Sequence, residues 1–169
     1  MNLSSVSRDH SAAFVARRLE LPHFTVAIDV SGPIVNAGIS VSEGRRAALI
    51  AQNQPVPIAR AVRALIDTGA SITAIEPQVL QALGLTPTGT IEIVTPSTGN
   101  AVHTADTYDV DLSINAATVS EPPLLIPNLR VSSSELFSRQ GIHALIGRDV
   151  LSRCILVYSG TVNLISLCF

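Results

Sequence analysis

From Leu21 onward the chain alternates apolar and polar side chains in short runs. In HFTVAIDV, Phe24, Val26, Ile28 and Val30 alternate with Thr25, Ala27 and Asp29, the period of a strand buried on one face. After a Ser-Gly-Pro turn, PIVNAGISVS repeats the pattern through Ile39 and Val41, so the two runs are expected to form a hairpin. AALIAQ (47–52) and RAVRALID (60–67) are further apolar runs, split by NQPVPIA, whose two prolines mark a loop or edge segment. One internal helix is predicted clearly: Glu76-Pro77 opens it, Val79, Leu80 and Leu83 form its apolar face, and Gly84 stops it. TIEIV (90–94) and TYDVDLSI (107–114) flank the polar PSTGN and predict a long hairpin. Further strands are expected at Leu124–Ile126 and in HALIG (143–147). A brief helical RDVLSR follows, and CILVYSGTVNLISL divides into two strands about Ser159-Gly160. The pattern is that of an all-β domain over residues 21–169 with one or two short helices. Residues 1–20, a mixture of Ser, Ala and charge without strand alternation, are expected to form a flexible N-terminal tail.

Composition narrows the possible roles. The 169 residues are 47% hydrophobic and 14% charged, enough apolar content for one packed core. Eleven Lys+Arg are scattered in a chain of net charge −2, so no basic stripe is available for nucleic acid. The N-terminus lacks the basic-then-apolar order of a secretory signal, and no apolar stretch approaches the roughly 18 residues of a membrane span. A soluble cytoplasmic protein without a membrane partner is expected. In that setting Cys154 and Cys168 are expected to be reduced, small buried hydrophobes. His10, His23, His103 and His143 stand far apart with no metal-type spacing, and neither a metal nor a cofactor is expected.

The chemistry centres on ALIDTGAS (64–71), where Asp67 directly follows an apolar run. A lone Asp-Thr-Gly is weak evidence, since it arises by chance in roughly one chain in thirty of this size, and a polar turn after a strand would explain it. The context sharpens it. Ala64-Leu65-Ile66 implies a strand that carries the carboxylate out of the core, while Gly69, Ala70 and Ser71 leave room for another backbone to approach. IDVSG (28–32) is only a faint echo of this motif, with Val30 between its Asp and Ser-Gly.

Three blocks in order resemble the retroviral-type (retropepsin-like) aspartic proteases. ALIDTGAS resembles the catalytic loop, IEIVTPSTGNAVHTADTYDVDLSI the flap hairpin and its return strand, and HALIGRDVLSRCILVYSGTVNLI the hydrophobic-Gly strand, short helix and closing strand. Residues 21–59 match more loosely the early strands of similar bacterial single-domain members. The resemblance implies a closed acid-protease β-barrel with one lobe per chain and an activity of peptide-bond hydrolysis. Asp67 would be the acid/base, Thr68 would hold the two catalytic loops together, and the backbone of Gly69 would face substrate. Ala70 and Ser71 would line the first subsites, with Thr95, Pro96, Ser97, Thr98 and Gly99 closing over the peptide. Gly147 would allow close packing behind the loop, and Arg148 and Asp149 would be structural, as a partly buried ion-pairing group and a capping group. Three departures stand out. Ser71 occupies a position where many retroviral enzymes carry a second aspartate that pairs with the arginine, which leaves the partner of Arg148 open. The flap tip is Pro-Ser-Thr-Gly in place of a glycine-rich tip, and the chain continues further after Gly160 than a minimal member.

Hydrolysis of this kind needs two carboxylates on one water, one to accept its proton and one to donate. Two such groups at about 3 Å share one proton and titrate as a unit. Only one credible catalytic Asp is present, so the resemblance implies a homodimer acting on a peptide or protein substrate, with Asp67 from each subunit. The alternative is a catalytically silent retropepsin fold serving dimerisation or peptide binding.

Overall fold

A computed structural model of the chain describes residues 21–93, 102–115, 122–136 and 140–169. The N-terminal tail and Thr95, Pro96, Ser97, Thr98 and Gly99 lie outside the described residues.

Six strands close into a barrel. β2 (Ile34–Val41) pairs with β3 (Arg60–Ile66), and the ring continues through β8 (Ala144–Ile146), β4 (Ala74–Ile75), β7 (Leu124–Ser133) and β6 (His103–Ile114), which returns to β2. Closure leaves neither side of β2 as a free edge. Strand alternation supplies the filling: Val35, Ala37, Ile39 and Val41 of β2 are buried, with Ala64 and Ile66 of β3 and Val110, Leu112 and Ile114 of β6. β5 (Gly89–Ile93) hangs from β6 as the expected hairpin, with Ile93 opposite His103. In the β6–β7 ladder Val110 faces Leu129 and Leu112 faces Ile126, so the extra residue belongs to β7. It falls at Pro127-Asn128, where proline has no N–H for the ladder and Asn128 turns to φ 51° with its N–H donating to Asp111 Oδ1 at 2.8 Å.

The expected hairpin of the first two strands does not form. β1 (His23–Ala27) joins β10 (Leu164–Cys168) and β9 (Ile155–Ser159) in a separate sheet of order β1-β10-β9. The turn itself is present: Asp29 and Gly32 exchange backbone hydrogen bonds, with Gly32 at φ 113°. It redirects the chain from one sheet to the other, leaving Val30 fully exposed. Both edges of β2 are taken by β3 and β6, and β1 pairs instead with β10, with Phe24 opposite Leu167 and Val26 opposite Ile165.

The described residues form three short helices rather than one or two. α2 (Pro77–Ala82) is the expected one, with Pro77 in its first turn and Gly84 at φ 62° just beyond its end. α3 (Arg148–Leu151) is the brief second. The third, α1 (Glu43–Ala51), includes most of the run AALIAQ. Only Leu49 of α1 is buried, so alanine-rich helix propensity and the Glu43–Arg46 pair at 3.5 Å support it more than core packing does. Cys154 and Cys168 are free thiols, and burial is the main cause that raises the Cys154 pKa above its ordinary value. No helix among the described residues is long and apolar enough to cross a membrane.

Candidate active site

The site is assembled where two parallel strands end together. β3 and β8 run side by side with Ile66 opposite Ile146, so the next residues, Asp67 and Gly147, emerge at the same end of the barrel. The Asp67 N–H donates to the Ile146 carbonyl at 3.0 Å, which ties the start of one loop to the other strand. Thr68-Gly69 then turns, and the Gly69 N–H donates to Asp67 Oδ1 at 2.8 Å. That contact fixes one carboxylate oxygen, and glycine suits position 69, because a Cβ there would stand 3.1 Å from the same oxygen and press on it. The carboxylate is half-buried, held at the rim of the apolar interior by Ile66 behind it.

Behind the loop lies a buried polar clamp. Thr73, fully buried, donates from its N–H to Asp149 Oδ2 at 2.9 Å and from Oγ1 to Asp149 Oδ1 at 2.8 Å. Its Oγ1 in turn accepts the Gly147 N–H at 3.1 Å, and the Thr73 carbonyl accepts the Ser132 N–H at 2.9 Å. Asp149 also accepts the Val150 N–H at 3.0 Å in the first turn of α3, where a carboxylate offsets unpaired amides. Every polar group named here has a partner, as burial demands.

Arg148 has found its partners without an acidic residue. Its Nη1 donates to the carbonyls of Thr68 at 2.9 Å and Gly69 at 3.1 Å, and its Nη2 to Ser71 Oγ at 2.8 Å. The residue is exposed, not partly buried as the sequence suggested, and makes no ion pair among the described residues. Arg148→Ala is therefore expected to cost only about 1 kcal/mol of stability, a fall of roughly 2–4 °C in Tm. Arg148→Lys should recover part of this, since a single ammonium cannot span three acceptors as the planar fork does. Unchanged melting of the alanine variant would show that the three bonds do not hold the loop.

A cleft of about 610 Å³ opens in front of Asp67. Asp67, Gly69, Ala70 and Ser71 line one wall, Ile91, Glu92 and Ile93 of β5 line another, and Ile72, Ala74, Leu145, Ser132 and Ser134 complete it. Of the residues singled out in the sequence, Asp67, Gly69, Ala70 and Ser71 thus meet on the cleft. Thr68 is exposed on the turn, and Gly147, Arg148 and Asp149 stand behind it. Thr73, Ser132 and the β5 wall were not singled out. The apolar–polar alternation of TIEIV was the available signal for the wall, whereas nothing local distinguishes Thr73. Among the described residues no three His, Cys, Asp or Glu side chains converge as metal ligands.

The family model described as aspartyl protease matches residues 50–150, well over half of the chain. The chain belongs to the aspartyl protease family. The chain is similar in fold to a solved structure described as a retropepsin-like aspartic protease from Rickettsia conorii, with a TM-score of 0.52 and 17% identity. The match covers 88% of this chain and 91% of that one. At that identity the likeness speaks for the fold, which is retropepsin-like. A search of curated proteins gives no significant match. The matched family region runs from the last residues of α1 into α3 and so contains the Asp67 loop, the β5–β6 hairpin and the Gly147-Arg148-Asp149 turn.

Proposed function

We propose that the protein is an aspartic endopeptidase in which Asp67 of each subunit of a homodimer activates one water for attack on a peptide bond. The observation that carries this is the Asp67 carboxylate at the mouth of a peptide-sized cleft, with one oxygen fixed by the Gly69 N–H. One such group can accept a proton or donate one, but the reaction needs both roles at once, so a second copy supplies the other. Asp67 is then the acid/base. Thr68, exposed on the turn, would bond across the two-fold axis, and Ala70 and Ser71 would form the first subsites. Residues 95–100, which follow β5, would close over an extended peptide held by backbone hydrogen bonds, with side chains alternating into pockets.

The three-stranded sheet offers a surface for the second copy. Ile155, Val157, Val162 and Leu164 are all exposed on β9, β10 and the turn between them, a concentration of apolar area that a dimer would cover. The test joins two measurements on purified protein. Mass spectrometry of a peptide pool should show internal cleavage, and sedimentation under the same conditions should show a dimer. Cleavage by a strict monomer would sink the shared site.

A further inference from the structure

The sheet face that floors the cleft can be followed strand by strand. Ile91 of β5 stands opposite Ala105 of β6, and Gly89, two residues earlier, opposite Thr107. Thr107 stands opposite Ser132 of β7, Ser132 is level with Ala74 of β4, and Ala74 faces Leu145 of β8. Paired residues share a face of the sheet, so the Ser132 side chain points the same way as Ile91, Ala74 and Leu145, the hydrocarbon that lines the cleft. Ser134 shares that face. Its N–H donates to the Ile75 carbonyl at 3.1 Å, as the Ser132 N–H does to Thr73 at 2.9 Å, so the ladder and its alternation run on through it.

Two hydroxyls thus lie among hydrocarbon on the cleft floor. Ser132 is 1% exposed, and among the described residues its Oγ reaches only the Thr73 carbonyl, at 3.5 Å, an oxygen that already accepts the Ser132 N–H. A contact that long leaves a buried hydroxyl barely satisfied. Ser134 is half-buried and lines the cleft beside it.

We infer that the cleft floor is a subsite for an amide side chain, Asn or Gln, of the bound peptide, with Ser132 and Ser134 as the specificity-determining residues. This rests on the endopeptidase reading and adds the substrate class to it. A hydroxyl both donates and accepts, and a carboxamide brings N–H and carbonyl in one planar group, so it can answer two hydroxyls together. A hydrocarbon side chain of the same size would expel water from both and return no hydrogen bond, the situation in which a polar pocket discriminates most strongly. A carboxylate could accept from both, but it would be desolvated with no Lys, Arg or His among the described lining residues and with Asp67 in the same cleft. Ile72, Ile91 and Ile93 are left to pack on the methylene stem of the amide.

The experiment uses peptides identical except at one scanned position, which carries Asn, Gln, Asp or Leu, the last nearly the same shape as Asn. At one position the parental kcat/KM should favour Asn or Gln over Leu by roughly tenfold, the worth of one or two neutral hydrogen bonds, with Asp poorest. Added salt should leave the amide-to-Leu ratio unchanged, because neither partner is charged. Ser134→Ala should cut the ratio to roughly threefold, and Ser132→Ala with Ser134→Ala should bring it to about one as the Leu peptide gains. Should the double variant fail to fold, Ser134→Ala alone decides, since the Ser134 side chain takes no part in the clamp of Thr73, Gly147 and Asp149. The same peptides are titrated by fluorescence anisotropy against Asp67→Asn protein with and without Ser134→Ala, which reads selectivity without cleavage. Amide-selective binding with no cleavage by the parent would support the subsite and overturn the endopeptidase reading. Cleavage with Leu equal to or above the amides at every position, or an amide preference that the serine variants leave intact, would overturn the subsite and spare the endopeptidase. Peptides neither bound nor cleaved would overturn both.

Discussion

Asp67→Asn is expected to abolish peptide hydrolysis while leaving the fold and the dimer in place. The amide is nearly isosteric, and its oxygen can still accept the Gly69 N–H that holds the carboxylate at 2.8 Å, so the loop keeps its shape. What disappears is the proton chemistry. An amide neither takes a proton from water nor passes one to a leaving nitrogen, and in a symmetric dimer both copies lose it together. A fall in kcat/KM of at least 10³-fold, on the order of full loss of an acid/base pair, is expected. In the proposed dimer two carboxylates at about 3 Å would repel one another, so their removal would relieve strain, and the variant should melt no lower than the parent near neutral pH. A shared proton also implies that parental activity passes through a maximum and declines on both sides of it. Inhibitors that place a hydroxyl between two carboxylates should bind the parent and lose affinity for the variant. Parental rates from the asparagine protein would refute the mechanism. A parent that cleaves nothing from acid to neutral pH would instead favour the silent peptide-binding module.

The parts of this site that the sequence disclosed are those whose physics is local. Asp-Thr-Gly after an apolar run marks a strand that ends in a tight turn, and the β5–β6 hairpin follows from two alternating runs about a polar tip. Pairing partners are not local. Phe24 and Val26 announce a half-buried strand, yet nothing near them says that they pair with Leu167 and Ile165, some 140 residues away in the chain. Adjacency in sequence points the first strand to its neighbour, but that neighbour is enclosed by β3 and β6. AALIA in α1 shows the complementary difficulty, since a short apolar run fits strand and helix alike and only Ser42-Glu43 ahead of it favours the helix.

Polar contacts behind the loop were the least legible. Asp149 was expected to cap, and it does accept from the first turn of α3, but its main partner is Thr73, 76 residues earlier. Thr73 looks like any strand threonine until β3, β4 and β8 are brought together. For Arg148 the missing acidic partner pointed to a gap, whereas two loop carbonyls and the Ser71 hydroxyl fill it. Replacing an aspartate by serine there exchanges an ion pair for hydrogen bonds from the guanidinium to uncharged acceptors, a weaker tie that suits an exposed residue.

Gly147→Ala is expected to be the most destabilising single methyl added to the site. Glycine is not needed for conformation, because φ −88° and ψ −178° are open to any residue. It is needed for space. A Cβ at 147 would lie 2.6 Å from the carbonyl carbon of Ile72 and 2.8 Å from its oxygen, both backbone atoms, and 2.9 Å from Asp149 Oδ1. None of the three can swing aside as a flexible side chain would. Relief requires moving Ile72 away from the Gly147 turn, and Thr73, whose Oγ1 and N–H hold Gly147 and Asp149 together, follows Ile72 directly. Overpacking of this kind, joined to a stretched buried hydrogen-bond network, costs about 3 kcal/mol or more, roughly 6–12 °C in Tm for a domain of this size. Gly44→Ala is the matched control, since a Cβ there meets nothing within 4 Å on exposed α1, and it should be neutral or slightly stabilising. If Gly147→Ala melts like the control, the two loops are not packed as described. If it melts lower but the folded fraction binds peptide as tightly as the parent, the displacement of the Ile72 backbone does not reach the cleft wall that its side chain lines.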